Sequence, residues 1–168
     1  MIFFGSEVLR NLIDLQFNTI SFNGRVFGWG RKKSFFKAKN YAEKHGLQVL
    51  CLEDGFIRSI GLGKEGYDPL SIVVDETGIY FDAFQSSDLE KMILLEENLL
   101  QNTRARKTIN HIIQNKITKY NQQFKKLDPS LFSKTAKNIL VVDQTFGDQS
   151  IKYAGATPEI FKQMLKQA

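Results

Sequence analysis

The sequence predicts an α/β fold in which a largely parallel sheet is flanked by helices. Residues 47–52, LQVLCL, form a continuous apolar run of strand length, as expected for a strand that is buried on both faces. A helical pattern precedes this run, and its residues Phe35, Ala38 and Ala42 share one face. Apolar runs and helical segments then alternate along the chain. This alternation is typical of strand–helix–strand units with right-handed crossovers.

The segment before the central run is predicted to hold two strands and one helix. Residues 17–22 and 25–30 are the strands, because Asn23-Gly24 between them is a turn signal. The helix is expected over residues 34–45. Its first residue, Ser34, suits the N-cap position, and Gly46 suits the left-handed residue that ends a helix.

Two further strands are predicted at 70–75 and 78–83, joined by a tight turn at Glu76-Thr77. Asp75 and Asp82 flank this turn, and we assign them structural roles. A capping box at 87–90, SDLE, then opens a helix that is expected to reach about residue 97.

The last part of the chain is predicted to contain two helices and one strand. The first helix covers about 103–117, and the strand covers 137–142 as a buried element. The second helix begins at Thr157-Pro158, with threonine as N-cap and proline in the first helical position. Its apolar face consists of Ile160, Phe161, Met164 and Leu165.

Composition and charge limit the class of protein. The chain has 168 residues, 42% hydrophobic and 24% charged, so we expect residues 1–168 to form a single globular domain. No apolar run approaches the ~18 residues of a membrane helix, and Glu7 and Asp14 near the start argue against a signal peptide. Cys51 is the only cysteine, which fits a reducing cytoplasm and a buried strand position. The net charge of +5 favours anionic partners, although no nucleic-acid motif is present.

Two polar loops follow predicted strands, and ligands of parallel sheets bind beyond the carboxyl ends of strands. The first, residues 53–63, is called the acidic loop here; it begins Glu53-Asp54-Gly55 and reaches Arg58-Ser59. It is either an acidic turn that caps nearby amides or a site where a carboxylate acts as acid or base while Arg58 holds an anion.

The second, residues 143–150, is called the Asp148 loop. It is either a connector with an Asx turn or a site that presents one carboxylate among neutral donors. Gln144 and Ser150 are the candidate donors, and Gly147 offers an unusual backbone angle before Asp148. A carboxylate so placed can act as a nucleophile or base in glycosyl chemistry. Residues 28–34, GWGRKKS, could bind phosphate at a helix N-terminus, or could form a structural turn above Trp29.

Four motifs and their order resemble a known family. They are WGRKKS (29–34), LEDGFIRSIGLG (52–63), PLSIVVDETGIYFDA (69–83) and VVDQTFGDQSI (141–151), with SDLE (87–90) and KYN (119–121) between them. In these the sequence is similar to the KpsC-type β-Kdo glycosyltransferases of bacterial capsular polysaccharide biosynthesis. The resemblance implies a Rossmann-like domain that forms one half of a GT-B-like module. A complete module is about twice as long, so we expect this half to be inactive in isolation.

The resemblance also implies an activity and a location. The enzyme would transfer Kdo from CMP-Kdo to a lysophosphatidylglycerol-linked acceptor with retention of configuration, without a cofactor. It would be cytoplasmic, peripherally associated with the inner membrane, and work beside other capsule synthesis and export proteins, with no nucleic-acid partner. Asp148, Glu53 and Asp54 would be the catalytic residues. The substrate-binding residues would be Arg58, Ser59, Gln144, Thr145, Gly147, Ser150 and Arg31.

Two other functions fit the residues. In the first, Glu53, Asp54 and Asp143 at strand ends would gather Mg²⁺ for phosphoryl transfer. In the second, the chain would be a non-catalytic module that binds an anionic lipid or nucleotide through its basic helices.

Overall fold

A four-stranded sheet is the centre of the fold in the computed structural model, which describes residues 2–3, 24–95, 99–122 and 126–168. Its strands lie side by side in chain order, and the first three run parallel. The fourth strand is antiparallel to the third. The connection between them, 55–71, contains only a short 3-10 helix and so lacks the crossover helix that usually joins parallel strands. The strands are β1 (Ile2–Phe3), β2 (Arg25–Trp29), β3 (Gln48–Asp54) and β4 (Ile72–Asp75).

The predicted α/β class with a largely parallel sheet is therefore confirmed, and so are the strands at 25–30 and 47–52. The predicted strand at 17–22 lies outside the described residues.

Helix α1 (Lys33–His45) packs its apolar face on the sheet. Ala38 and Ala42 contact Val26 in one buried cluster, as the helical spacing predicted. The approach is close at Gly28, where an added Cβ would lie 2.4 Å from the Cα of Phe35. Only glycine allows this separation between strand and helix. The opposite face of the sheet is covered by a second cluster around Phe27, Leu50 and Leu52.

The sequence predicted the C-terminal cap of α1 correctly but not its N-terminal cap. Gly46 adopts the left-handed conformation (φ 63°) and its N–H donates to Ala42 O, as predicted. The predicted N-cap, Ser34, is wrong, because the N-cap is Lys32 and no side chain caps the helix. The Ser34 hydroxyl instead accepts from the Trp29 N–H at 3.3 Å, which ties the helix start to the end of β2.

The predicted strand at 78–83 is also wrong, because the carboxylate of Asp75 folds the chain into turns. Its Oδ1 accepts from the N–H groups of Thr77 and Gly78 at 2.9 and 2.6 Å. Its Oδ2 accepts from the N–H of Asp88 at 3.1 Å. This buried side chain thereby binds the end of β4 to the start of the next helix, and the structural role predicted for Asp75 is confirmed.

The next two helices are α2 (Asp88–Leu94) and α3 (Leu99–Gln114). The capping box that opens α2 is confirmed in both directions: Ser87 N donates to Glu90 Oε2 at 2.6 Å, and Glu90 N donates to Ser87 Oγ at 3.2 Å. The predicted end of this helix, near residue 97, lies outside the described residues. Helix α3 begins and ends a few residues earlier than the predicted 103–117.

The predicted buried strand at 137–142 is wrong, because this segment has no strand pairing and is mostly exposed. Leu140 is 88% exposed. A strand requires a neighbour to satisfy its amides, and no described segment supplies one. Two helices follow, α4 (Gln149–Tyr153) and α5 (Pro158–Gln167), and the second begins after Thr157 as predicted. Of the helices in the described ranges, none is long and apolar enough to cross a membrane.

Candidate active site at the carboxyl end of the sheet

The acidic loop begins where the parallel strands β2 and β3 end side by side. Trp29 is paired with Leu52, so Gly30 and Glu53 are neighbours at the same edge of the sheet. Gly30 has a positive φ of 47°, and an added Cβ would lie 2.5 Å from Glu53 Oε2. The glycine therefore provides the space in which the Glu53 carboxyl group lies.

Glu53 is a carboxyl group in an environment that favours its protonated form. Burial raises its pKa above the ordinary value. A hydrogen bond from the N–H of Asp54, at 3.0 Å, acts against this rise, as do the positive charges of Lys32 and Lys119. A carboxyl group with a raised pKa is better able to hold and return a proton near neutral pH.

Asp54 differs from Glu53 because it is already paired with Arg58. Arg58 Nε lies 2.9 Å from Asp54 Oδ1. The same guanidinium donates through Nη1 to Ser59 Oγ at 2.9 Å and to the Tyr67 carbonyl at 2.8 Å. An added Cβ on Gly63 would lie 2.5 Å from Arg58 Nη2, so the loop closes tightly around the cation. Three predicted site residues, Asp54, Arg58 and Ser59, thus form one connected group.

The Asp148 loop presents its carboxylates toward solvent. Asp148 is the N-cap of α4 and its Oδ1 accepts from Ser150 N at 2.8 Å. Asp143 accepts from Gln144 N at 2.7 Å. Gly147 has a positive φ of 81°, in agreement with the unusual backbone angle predicted there. The side chains of Gln144 and Thr145 are exposed beside these carboxylates, while Ser150 is half-buried.

An open groove of about 720 Å³ runs along this loop and the two helices that follow it. The lining is mostly apolar, and it includes two lysines and the carboxylates of Asp143 and Asp148. The groove is lined by Asp143, Gln144, Phe146, Gly147, Asp148, Gln149, Ile151, Lys152, Gly155, Ala156, Thr157, Pro158, Phe161, Lys162 and Leu165.

Tyr80 connects the two loops electrostatically. Its pKa is raised to about 12, first by burial and then by the negative charges of Glu53, Asp54 and, more weakly, Asp148. The carboxylates of both loops therefore act on one phenol, which stays protonated and able to donate a hydrogen bond. The sequence did not identify Tyr80, because it lay within the segment predicted as a strand.

The loop that carries Tyr80 also holds α4 in place. Ala83 N donates to Tyr153 O at 2.9 Å. The ring of Phe84 lies 3.8 Å from where a Cβ on Gly155 would be. These contacts join the Asp148 segment to the sheet domain.

Arg31, predicted to bind substrate, is directed into the interior. Its Nε lies 2.7 Å from Asp82 Oδ2, and its Nη2 donates to Gln85 Oε1 at 2.9 Å. The guanidinium also lies 4.6 Å from the centre of the Phe35 ring. These interactions occupy the side chain with protein groups, which confirms the structural role predicted for Asp82 and favours one for Arg31.

The carboxylates do not gather into a metal site. Within residues 2–3, 24–95, 99–122 and 126–168, no three His, Cys, Asp or Glu side chains come together as metal ligands would. The alternative in which Glu53, Asp54 and Asp143 hold Mg²⁺ therefore has no geometric basis in the described residues.

Comparison with known proteins shows the family to which this chain belongs. Residues 25–168 match the family described as capsule polysaccharide biosynthesis protein, and the chain belongs to this family. The predicted KpsC-type resemblance is confirmed by this match and by the relatives and structures that follow.

Two curated relatives are similar over most of this chain. The capsule polysaccharide modification protein LipA of Neisseria meningitidis serogroup A is 40% identical over 147 residues, which is 85% of this chain and 21% of LipA. The lipopolysaccharide-processing protein LpsZ of Rhizobium meliloti is 37% identical over 144 residues, which is 82% of this chain and 32% of LpsZ. The chain therefore spans between a fifth and a third of these relatives.

Two solved structures share the fold. The KpsC β-Kdo 2,4 transferase of Thermosulfurimonas dismutans superposes with a TM-score of 0.83 at 33% identity, covering 100% of this chain and 56% of that one. The KpsC β-Kdo 2,7 transferase of the same organism gives a TM-score of 0.59 at 25% identity, covering 90% and 50%. The predicted Rossmann-like α/β half of a GT-B-like transferase is thus confirmed as the fold.

Proposed function

We propose that this chain supplies one half of a β-Kdo glycosyltransferase that uses CMP-Kdo as donor and a lysophosphatidylglycerol-linked glycolipid as acceptor. The similarity to a β-Kdo 2,4 transferase over the whole chain supports the reaction class. The observation that carries the proposal is the superposition of the whole chain on that transferase, with a TM-score of 0.83 at 33% identity. Within the chain, Glu53 lies on the acidic loop and Asp148 on the Asp148 loop. One carboxyl group is buried and the other is exposed on a groove, so the two are suited to different tasks.

In the proposed mechanism, Asp148 acts at the anomeric carbon of Kdo. Its carboxylate forms a bond to that carbon while the bond to the CMP phosphate breaks, and the electron pair leaves with CMP. The acceptor hydroxyl then attacks the same carbon, releases Asp148 and passes its proton to Glu53. Two displacements at one carbon retain the configuration. Glu53 is the better base than Asp54, because Asp54 is paired with Arg58.

The family resemblance assigns Arg58 and Ser59 to the acidic part of the donor, the sugar carboxylate or the phosphate, and we retain that assignment as part of the proposal. Arg58 is mostly buried and fixed by three protein groups, so its charge is preorganised. Gln144, Thr145, Gly147 and Ser150 would contact the sugar from the opposite loop.

The test uses the protein as its gene encodes it, with CMP-Kdo and the glycolipid acceptor. Asp148→Asn is expected to abolish transfer, and Glu53→Gln to lower kcat about a hundredfold. Asp143→Asn is the matched control, because it changes a second exposed carboxylate of the same loop. Incubation with donor alone, followed by mass spectrometry, is expected to find one Kdo on the peptide that contains Asp148. Full activity of Asp148→Asn would remove this residue from the mechanism.

We further propose that residues 1–168 fold as one domain, that this domain is inactive alone, and that the enzyme works at the cytoplasmic face of the inner membrane beside other capsule synthesis and export proteins. The net charge of +5 and four exposed apolar residues on and just after α2 support contact with an anionic membrane. These residues are Met92, Ile93, Leu94 and Leu95.

Sedimentation with vesicles tests the membrane contact. Binding is expected to vesicles that contain phosphatidylglycerol and to fall as salt is added. Equal binding to neutral vesicles at all salt concentrations would contradict it. Strong anionic-lipid binding by a protein that transfers no Kdo would favour the non-catalytic binding module instead.

A further inference from the structure

A turn formed by residues 118–121 holds the middle of the acidic loop, although about sixty residues separate the two in sequence. The Lys119 carbonyl accepts from the N–H groups of Arg58 and Ser59, at 2.7 and 3.2 Å. The Tyr120 carbonyl accepts from Gly61 N at 2.6 Å. Asn121 adds a side-chain bond, from Nδ2 to the Ser59 carbonyl at 3.2 Å. Four hydrogen bonds therefore join the 118–121 turn to the part of the loop that carries Arg58.

Asn121 also builds the turn from which these bonds come. Its φ is 48°, in the left-handed region that asparagine tolerates better than most residues. Its Oδ1 accepts from Thr118 N at 3.0 Å, and its own N–H donates to Thr118 Oγ1 at 3.0 Å. One end of the carboxamide thus closes the turn and the other end binds the loop.

The contact reaches the charged groups of the candidate site through Ser59. The Ser59 hydroxyl accepts from Arg58 Nη1 and donates to the Gly61 carbonyl at 2.7 Å. Arg58 in turn holds Asp54. A shift of the Ser59 backbone would therefore move the guanidinium as well.

We propose that Asn121 is a positioning residue for donor binding: its carboxamide holds the acidic loop, with the Arg58–Asp54 pair, in the conformation that donor binding requires. The proposal rests on the proposed function for its substrate and on the hydrogen bonds for its geometry. Asn121 touches no reacting atom and acts through Ser59 and Arg58.

The test changes only the end of the Asn121 side chain that binds the acidic loop. Asn121→Asp keeps the Oδ1 acceptor and the tolerance for positive φ but places an oxygen, in place of Nδ2, against the Ser59 carbonyl. The matched control is Asn115→Asp, because Asn115 is exposed and its Nδ2 donates to the His111 carbonyl at 2.9 Å within the α3 terminus. The acidic loop is not among its hydrogen-bond partners.

Hydrogen exchange measures the geometry independently of activity. The amides of Arg58, Ser59 and Gly61 are expected to exchange at least about tenfold faster in Asn121→Asp than in the wild type or Asn115→Asp. Unchanged exchange would overturn the proposal.

Steady-state kinetics of the protein as its gene encodes it measures the consequence. Asn121→Asp is expected to raise KM for CMP-Kdo about tenfold with kcat changed much less, and to add little to the defect of Arg58→Ala. A full additive loss on the Arg58→Ala background, or an unchanged KM, would overturn the positioning role. Absence of Kdo transfer in the wild type would refute the proposed function, while hydrogen exchange would still decide whether Asn121 holds the loop.

Discussion

Arg31 Nε lies 2.7 Å from Asp82 Oδ2, and the two side chains are only 3% and 4% exposed. The pair joins the end of β2 to the loop that carries Tyr80. A buried charge that loses its partner keeps the cost of burial without the compensating attraction. The pair is therefore part of the structure that supports the candidate site.

Replacing Arg31 by alanine is expected to lower the free energy of unfolding by about 3–5 kcal/mol, because the Asp82 carboxylate is left buried without its cation. Urea denaturation measures the loss. The control is Arg25→Ala, which breaks the partly exposed pair with Glu76 (3.5 Å) and is expected to cost less than about 1 kcal/mol. Equal small losses in both variants would contradict the importance of the buried pair.

Replacing Ser87 by alanine is expected to cost about 1 kcal/mol, because the orphan N–H of Glu90 loses its acceptor at the start of α2. Thermal unfolding measures the change. Ser86→Ala is the control, since Ser86 is exposed and precedes the cap, and we expect it to change stability by less than about 0.5 kcal/mol. A capping role would be refuted by equal effects of the two substitutions.

Replacing Glu53 by glutamine is expected to stabilise the protein more at pH 8 than at pH 4. Burial raises the pKa of Glu53 in the folded state, so ionising it costs the wild type stability as pH rises from the unfolded-state pKa through the folded-state pKa. The neutral glutamine avoids this cost, and the advantage disappears below the unfolded-state pKa. Melting temperatures across this range test the trend.

Asp88→Asn is expected to change stability with pH in the opposite direction to Glu53→Gln. The hydroxyl of Thr77, at 2.5 Å from Oδ1, is the main cause that lowers the pKa of Asp88. Its carboxylate therefore stabilises the wild type above the unfolded-state pKa, and this contribution is lost as pH falls through the lower folded-state pKa. Parallel pH trends in the Asp88 and Glu53 variants would contradict both assignments.

The Cys51 thiol is expected to resist alkylation in the folded protein. Burial is the main cause that raises its pKa from 9.0 to about 12, and its side chain donates to the Gly30 carbonyl at 3.1 Å. Such a rise lowers the thiolate fraction at pH 8 about a thousandfold. Iodoacetamide labelling with and without 8 M urea tests this expectation, and rapid labelling of the folded chain would contradict it.

The elements that follow local patterns could be predicted from the sequence. Strand β3 and helix α1 agree within one or two residues, because an apolar run and a 3.6-residue period are properties of the segment itself. The local pattern at 137–142 was not enough to predict a strand, since a strand also requires neighbouring strands that the segment itself does not encode. The strand at 78–83 failed because one side chain, Asp75, competes for the amides that a ladder would use.

The two loops of the candidate site were chosen from the sequence, whereas the contacts that hold these loops in place were not. The polar residues after β3 and around Asp148 are visible as motifs in the sequence. The partner of Arg31 lies 51 residues away, and Asn121 meets Ser59 across 62 residues. No local pattern signals such pairs, so the sequence suggested substrate binding for Arg31 and no role for Asn121.

The loop between β4 and α2 carries two consecutive residues that connect different parts of the molecule. Asp82 is bound to Arg31, and Ala83 donates to Tyr153 at the end of α4, the helix that Asp148 caps. The interior ion pair therefore lies one residue from the hydrogen bond that joins α4 to the sheet domain. A substitution at Arg31 can thus disturb the attachment of the segment that carries Asp148, although Arg31 is not in contact with Asp148.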